Sequence, residues 1–529
     1  MWRNGLWKKL WEGGIRGRMW RVFRQMYDKV RSCVLVDGEA SRWFDIELGL
    51  RQGCVLSPVL FSVFINGLAD YIKSKSFGVK VGDGKLPMLM FADDIVMFGE
   101  TEAEVQDLIN LVSEYAQKWR FEINVKKCGV MKCGHSQANN DIGFKYRNDP
   151  MPVVDSYKYL GMWFESNGGW KKEIDSRRMK AKEKTGLLRR ILFWRANVGI
   201  SAKLAAWNAL VGSILAYGQE IWLEDKVERI ALERVQLEAA KAILRCSRKT
   251  ADEVVRGDLG LSTLEMRRDI ARLKWYGKTK RMDGNRWVVK VDEYAGEKKK
   301  KIGRQRRNWT GEVNSLLKKY HLESEDVKEM TEREWDGHVE KIAKEEDVNN
   351  WNRTRETKSK LAVYNAIKEG FGFQSYLNGV FRGGKLLKFK FRSGTSALGE
   401  ELGRWMKERK QCKACKKKVT ETLAHFLYEC KGYVNERKAW IKDTRKEFDL
   451  EDKKIFNGYL ADEKKFINLT LSDKLAGISN DGQAKLNEAT EKLLYSMYEK
   501  RKEHMFGGRQ PKATEKSVWS LWSERLRHH

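Results

Sequence analysis

The sequence predicts an α+β chain whose first third mixes helices with short strands and whose remainder is helical. Three observations carry this. The five prolines are Pro58, Pro87, Pro150, Pro152 and Pro511, so none falls between residues 153 and 510. Proline breaks helix interiors and central strands, and so long a gap favours helices. Before it, apolar residues alternate in short runs broken by Gly and Asp. After it, they recur at steps of three and four.

The elements follow in order. Leu6, Leu10, Met19, Phe23, Met26 and Val30 form a helical stripe interrupted at Gly13-Gly14. "SCVLVDGEASRWFDIELG" alternates around Asp37-Gly38, a hairpin signal. "SPVLFSVFINGLADYIKS" offers Ser57 as N-cap and Pro58 at the first helical position. In "TEAEVQDLINLVSEYAQKW", Thr101 caps and Glu104 completes a capping box ahead of a Val105, Leu108, Leu111, Val112 and Tyr115 stripe. "FEINVKKCGVMKC" and "YKYLGMWFE" read as strands. This alternation predicts a sheet with helices on one face. From about residue 170, Leu204, Trp207, Leu210, Val211, Ile214 and Leu215 share one helical face. Leu232, Val235, Ala239, Ala242 and Cys246 share another.

Composition narrows the partners. Lys plus Arg number 103 against 73 Asp plus Glu, a net charge of +30. Such an excess points to an anionic partner, above all nucleic acid, whose phosphates release counterions to Lys and Arg. No apolar run is long enough for a bilayer, and the N-terminus shows no secretory h-region. Eight unevenly spaced Cys suit a reducing compartment, so the expected location is intracellular, nucleus or cytoplasm. "KKKKIGRQRR", Lys298 to Arg307, reads as a nuclear address, a nucleic-acid contact or a solvated loop.

"MLMFADDIVMF", Met88 to Phe98, sets Asp93 and Asp94 between two apolar runs. A tight turn there would bring both carboxylates to a hairpin tip. Two carboxylates so close need a shared proton or cation, and a hard ion such as Mg²⁺ suits their oxygens. Two ions bridged in this way would clamp the attacking and leaving oxygens of a nucleotidyl transfer. An ordinary Asp-rich turn has the same appearance. About forty residues upstream, "GLRQGCVLSPVLF" places Arg51 and Gln52 between Gly49 and Gly53, where backbone can approach a ligand. A glycine turn before a helix reads the same.

Taken together, "GLRQGCVLSPVLF", "FADD", "FEINVKKCGVM" and "YKYLGMWF" resemble the palm motifs of reverse transcriptases of non-LTR (LINE-type) retrotransposons. FADD in place of YADD, with "RQGCVLSP", favours that branch. The resemblance implies a partial right-hand polymerase palm over residues 1–168 and a helical thumb over 169–285. A basic helical linker region (286–400), a zinc knuckle (401–440) and a helical tail (441–529) follow. Asp93 and Asp94 would hold Mg²⁺. Arg51, Gln52, Gly53 and Ser57 would line the template and nucleotide pocket. Lys127 would protonate departing pyrophosphate, and Leu160-Gly161 would grip the primer. The implied activity is RNA-directed DNA polymerisation, with an RNA template, a DNA primer or target DNA, and deoxynucleoside triphosphates; no membrane is implied.

In the family, a strand ending in aspartate precedes a helix resembling "MWRNGLWKKLW". No such aspartate appears here, and Asp28, Asp37 and Asp45 do not replace it. The expectation is therefore little or no polymerase activity from this chain alone. A nucleic-acid clamp without catalysis is the rival.

"CKACKKKVTETLAHFLYEC" gives Cys412, Cys415, His425 and Cys430, three thiolates and an imidazole suited to tetrahedral Zn²⁺. Reduced cysteines near a surface His are the plainer reading. The spacing resembles the CCHC motif C-terminal to many non-LTR reverse transcriptases. Lys413 and Lys416–Lys418 beside it suit phosphate. In "FRGGKLLKFKFRSGT", Phe389 and Phe391 read equally as base-stacking residues or as a half-buried strand. Cys128, Cys133 and His135 offer only three ligands and are read as core or surface.

Overall fold

The computed structural model describes residues 1–134, 143–297, 308–380, 383–406, 411–415 and 417–506. The basic run Lys298–Arg307, His135 and Lys416 lie outside them. The chain divides into two compact units. One comprises Met1–Glu173 and Thr279–Gly311, the other Ile174–Lys278 and Glu312 onward.

In the first unit, helices α1 (Arg3–Glu12) and α2 (Gly17–Met26) are separated at Gly13-Gly14, as the glycine pair predicts. Strands β1 (Arg31–Ser32) and β4 (Phe44–Asp45) pair around an inner hairpin of β2 (Leu35–Val36) and β3 (Glu39–Ala40). The inner turn is Asp37-Gly38, with φ of 50° and 89°. Two left-handed residues match the twist of a two-residue hairpin. Helix α3 (Ser57–Lys73) buries Leu60, Phe64, Ile65, Leu68 and Ile72 and exposes Ser62, Asn66, Asp70 and Lys73 on its other face. It packs Phe64 against Leu6, Trp7 and Leu10. Its Ile65, Leu68 and Ile72 meet Leu108, Val112 and Tyr115 of α4 (Glu102–Trp119).

Strand pairing departs from the expected sheet. Hairpins β5 (Val79–Val81)–β6 (Gly84–Leu86), β7 (Met88–Phe91)–β8 (Asp94–Met97), β9 (Lys145–Tyr146)–β10 (Asp149–Pro150) and β11 (Ser156–Tyr159)–β12 (Met162–Glu165) complete the set. Among the described residues, every sheet has two strands. "FEINVKKCGVMKC" is not a strand either. The Lys127 amide bonds to the Asn124 carbonyl (2.9 Å) and that of Cys128 to Val125 (3.0 Å). The chain thus commits to a 3₁₀ turn, Val125–Lys127, the donors a strand would offer sideways. One bridge, Val130 to Val153, is all that remains of the predicted strand.

Two capping expectations shift. Ser57 is the first helical residue rather than the cap, and its hydroxyl donates to the Arg51 carbonyl at 2.7 Å. Thr101 does cap α4, accepting from the Glu104 amide at 3.2 Å. The Glu104 carboxylate turns instead to the amides of Gly78 and Glu100, each at 2.7 Å. Burial would raise this carboxyl; those two amides outweigh it and hold it below its usual range.

The second unit is helical in its described residues. Trp207, Val211 and Leu215 are buried, but Leu210 stays exposed. A π-turn at Asn208–Gly212 inserts one residue and rotates the face predicted for a regular helix. In Lys226–Ile243, Leu232, Val235 and Ala239 are buried, and the stripe ends through Ile243 and Leu244 rather than Ala242 and Cys246. Phe389 and Phe391 belong to neither predicted alternative. They lie inside the helix Gly384–Arg392 and are buried, because this helix is enclosed on every side. No described helix is long and apolar enough to cross a membrane.

Enclosure also buries Arg392, and Asp258 answers it. Two guanidinium nitrogens, Nε and Nη2, each reach an Asp258 carboxylate oxygen at 3.0 Å. Tyr364 Oη donates to the same carboxylate at 3.0 Å and Tyr376 Oη at 2.6 Å. Lys368 Nζ lies 3.7 Å away. Burial pushes the Asp258 carboxyl up; Arg392 and Lys368 outweigh it and hold it below its usual range. Asp258→Ala would leave Arg392 buried without its counter-ion, and we expect a loss of about 3–5 kcal/mol in urea unfolding at pH 7. A carboxyl depressed in the folded state stabilises above its unfolded pKa, about 4. The wild-type advantage over Asp258→Ala should therefore persist at neutral pH and shrink as the pH falls below that value.

Candidate active site and metal centre

The β7–β8 hairpin closes on the pair Phe91 and Asp94. Ala92 and Asp93 form the turn, with Ala92 left-handed at φ 53°. Asp93 therefore sits at the tip and Asp94 opens β8. The turn breaks the strict strand alternation that would oppose their side chains. Both are exposed. Among the described residues, neither has a Lys, Arg or His within ion-pair reach. Two adjacent, unneutralised carboxylates suit a hard cation.

The Asp94 charge is felt on β11. Burial first pushes the phenols of Tyr157 and Tyr159 up; Cys128 and then Asp94 add to it at Tyr157, and Asp94 adds to it at Tyr159. Tyr157 Oη in turn donates to the Lys127 carbonyl. The structure thus links Asp94, the Val125–Lys127 turn and the β11–β12 hairpin, with the Lys127 side chain exposed. Leu160-Gly161 forms the tip of that hairpin, at φ 47° and 81°.

The Arg51–Ser57 segment is held from another side. The Ser57 hydroxyl lies 3.1 Å from Tyr27 Oη, and the Arg51 guanidinium rests 5.8 Å from the Tyr27 ring centre. Arg3 binds the carbonyls of Gly49 (3.0 Å) and Tyr27 (3.2 Å). Gly53, at φ 83°, has open space where a side chain would stand. Arg51, Gln52 and Gly53 are exposed above this support. Sequence reasoning missed Tyr27 and Arg3, since neither stands in a recognisable motif.

In the second unit the four predicted zinc ligands converge. The ligand atoms of Cys412, Cys415, His425 and Cys430 lie within 4.8 Å of one another. Cys412 Sγ is 3.7 Å from Cys430 Sγ, and Cys415 Sγ is 3.5 Å from His425 Nε2. A tetrahedral ion with Zn–S bonds of about 2.3 Å separates its sulfurs by about 3.8 Å. The residues fit the ion. His425 and Cys430 are spaced by a π-turn, His425–Glu429, rather than an α-turn; the Cys430 amide bonds to the His425 carbonyl at 2.8 Å.

Three residues that sequence reasoning missed support this centre. Glu429 Oε2 lies 3.2 Å from His425 Nδ1, leaving Nε2 for the ion. Arg437 donates to the Cys430 carbonyl at 2.7 Å. Gly432 passes so near the Ala414 carbonyl that an added Cβ would stand 2.4 Å from its oxygen. Cys128 and Cys133 join no metal cluster among the described residues.

Residues 1–164 match the family described as reverse transcriptase (RNA-dependent DNA polymerase), so the chain carries a reverse transcriptase domain. Its relatives include jockey and R2 non-LTR retrotransposon polymerases. It is 22% identical over 254 residues to the RNA-directed DNA polymerase from mobile element jockey of Drosophila funebris, covering 47% of this chain and 27% of that protein. It is 23% identical over 193 residues to the Pol polyprotein of the type-1 retrotransposable element R2 of Popillia japonica, 32% of each. An uncharacterized transposon-derived protein of Caenorhabditis elegans is 23% identical over 280 residues, 49% of this chain and 91% of that protein. The chain thus spans about a quarter of the length of the jockey polymerases it matches.

Cobalt titration of the metal-free protein should give the intense absorption of cobalt–thiolate bonds, and Cys430→Ser should abolish tight binding. Glu429→Ala should weaken zinc by about 10–100-fold in competition with a chromophoric chelator, because His425 loses its orienting partner.

Proposed function

We propose that this chain is an RNA-directed DNA polymerase segment of a non-LTR retrotransposon, copying RNA into DNA by nucleotidyl transfer. The observation that carries the reading is the pair Asp93 and Asp94. They stand exposed and unneutralised on a tight hairpin tip, inside the segment that matches the reverse transcriptase family. In this reading residues 1–168 are the palm, 169–285 the thumb, 286–400 a basic linker, 401–440 the knuckle and 441–529 the tail.

In the reaction the primer 3′-hydroxyl attacks the α-phosphorus of a deoxynucleoside triphosphate, and the bond to the bridging oxygen of pyrophosphate breaks. Asp93 and Asp94 would hold Mg²⁺, which when bound supplies Lewis-acid stabilisation of the phosphate oxygens. Lys127 supplies a proton and positive charge to the leaving pyrophosphate. Arg51, Gln52 and Gly53 contact template and nucleotide, with Ser57 fixing the loop through the Arg51 carbonyl. Leu160-Gly161 seats the primer end. Cys412, Cys415, His425 and Cys430 would hold Zn²⁺, which when bound would cross-link the knuckle, and Lys413, Lys417 and Lys418 beside them contact RNA or DNA phosphates. All eight cysteines are free, which supports an intracellular, reducing setting, nucleus or cytoplasm.

A second reading, a nucleic-acid clamp without catalysis, is favoured by one feature of the sequence. The family's first palm aspartate has no counterpart among these 529 residues. Two metals would then lack a bridging ligand, and we expect weak activity from these residues alone. Primer extension on an RNA template with Mg²⁺ should give little cDNA, and Asp93→Asn should remove what there is. Template–primer affinity should stay within about twofold. Robust extension by the Asp93→Asn protein would refute the assignment of the site. Wild-type extension at the Asp93→Asn level, with affinity intact, would favour the clamp.

A further inference from the structure

Helix α2 is unlike its neighbours. Between Gly13 and Tyr27 the sequence carries Arg16, Arg18, Arg21 and Arg24 and no acidic residue. All four arginines are exposed, and among the described residues none has an acidic partner. Of the nearby acids, Glu12 lies 3.8 Å from Lys8 and Asp45 lies 3.6 Å from Arg31, while the exposed Asp28 makes no ion pair with these arginines among the described residues. On the helix, Arg18, Arg21 and Arg24 follow one another at steps of three and so share one side.

Aromatic rings border this side. Trp20 is fixed by its indole N–H, which donates to the Trp7 carbonyl at 2.9 Å. Trp11 meets it edge to face at 5.8 Å and is 48% exposed. The Arg16 guanidinium stacks 5.6 Å from the Trp11 ring centre, and that of Arg24 5.4 Å from Trp20. Stacking holds the planar guanidinium groups while leaving N–H donors for an anion.

We propose that α2 and the end of α1 form a binding surface for single-stranded nucleic acid. Arg18 and Arg21, flanked by Arg16 and Arg24, take successive phosphates, and the exposed part of the Trp11 indole takes a base. Four unpaired cations within nine residues complement a phosphate chain, and an exposed indole complements an unpaired base. A lipid surface fits less well. Trp20, Phe23 and Met26 already pack against the core of their own unit, so α2 has only Met19 and Val22 to insert beside Trp11, few for a face that carries four arginines. This inference stands on charge and stacking and does not depend on the polymerase reading.

The test uses the full chain with short labelled oligouridine and oligodeoxythymidine, across a salt series. Arg18→Ala/Arg21→Ala should lower the slope of log affinity against log salt by about 1.4, at about 0.7 for each single-strand phosphate no longer neutralised. Trp11→Ala should weaken binding about tenfold with the slope unchanged. Photocrosslinking with 4-thiouridine should label peptides within residues 11–24. Asp93→Asn/Asp94→Asn should leave all three readouts intact, separating this surface from the polymerase site. An unchanged slope in the double variant, with crosslinks confined elsewhere, would overturn the proposal. So would equal arginine-dependent binding to polyglutamate or to phosphatidylserine vesicles. The ratio of RNA to DNA affinity identifies which strand the surface prefers, and weakened binding to either one supports it.

Discussion

Like charges placed side by side repel, and a folded chain keeps them adjacent only where water or a cation screens them. At the β7–β8 tip, Asp93 and Asp94 are adjacent, exposed and without a basic neighbour among the described residues. The surrounding unit is organised to hold this arrangement. Met88 and Ile95 root the hairpin in the core that α3 and α4 build. Tyr157 ties the Lys127 turn to β11, where the Asp94 charge is also felt. A basic residue moved next to the tip would quench the repulsion and remove the reason for a cation to bind.

The second unit solves the opposite problem. Several of its charges are buried, and three of these are answered by buried partners of opposite sign. Asp258 meets Arg392, and Arg501 meets Glu421 through two bonds of 2.7 Å. Glu224 meets Arg268 at 2.9 Å and Arg272 at 2.6 Å. A buried pair contributes modest net stability, but either partner left alone is costly. These pairs therefore fix which helices pack together more than how tightly. Cys412, Cys415, His425 and Cys430 follow the same logic, because thiolates gathered in a half-buried cluster suit a soft metal ion.

Much of the local structure was legible in the sequence, for identifiable reasons. Asp37-Gly38 announced its turn because two-residue hairpins demand left-handed residues, whereas the turn at Leu160-Gly161 followed only from the family resemblance, since leucine seldom adopts the left-handed backbone that Leu160 shows. The group of Cys412, Cys415, His425 and Cys430 was legible because its spacing is a property of the chain. The breaks from regularity were hidden. Nothing in "WNALVGSIL" signals that a π-turn will expose Leu210, and nothing in "GKLLKFKF" says that helices will enclose it on every side. Likewise Tyr27, Arg3, Glu429 and Gly432 act only through neighbours distant in sequence or through backbone approach. The capping box at Thr101 failed because Gly78 and Glu100 offered Glu104 better donors than its own cap.

Ala92 carries a methyl group in a left-handed conformation, where glycine would sit without strain. That choice costs about 1 kcal/mol. It also denies the loop the many alternative shapes a glycine would sample, both before folding and after. The hairpin end is consequently stiff, and the separation of its two acidic groups is set in advance of any guest. A glycine there would give a softer tip that had to tighten around each arriving ion, whereas alanine holds less freedom to lose at any stage.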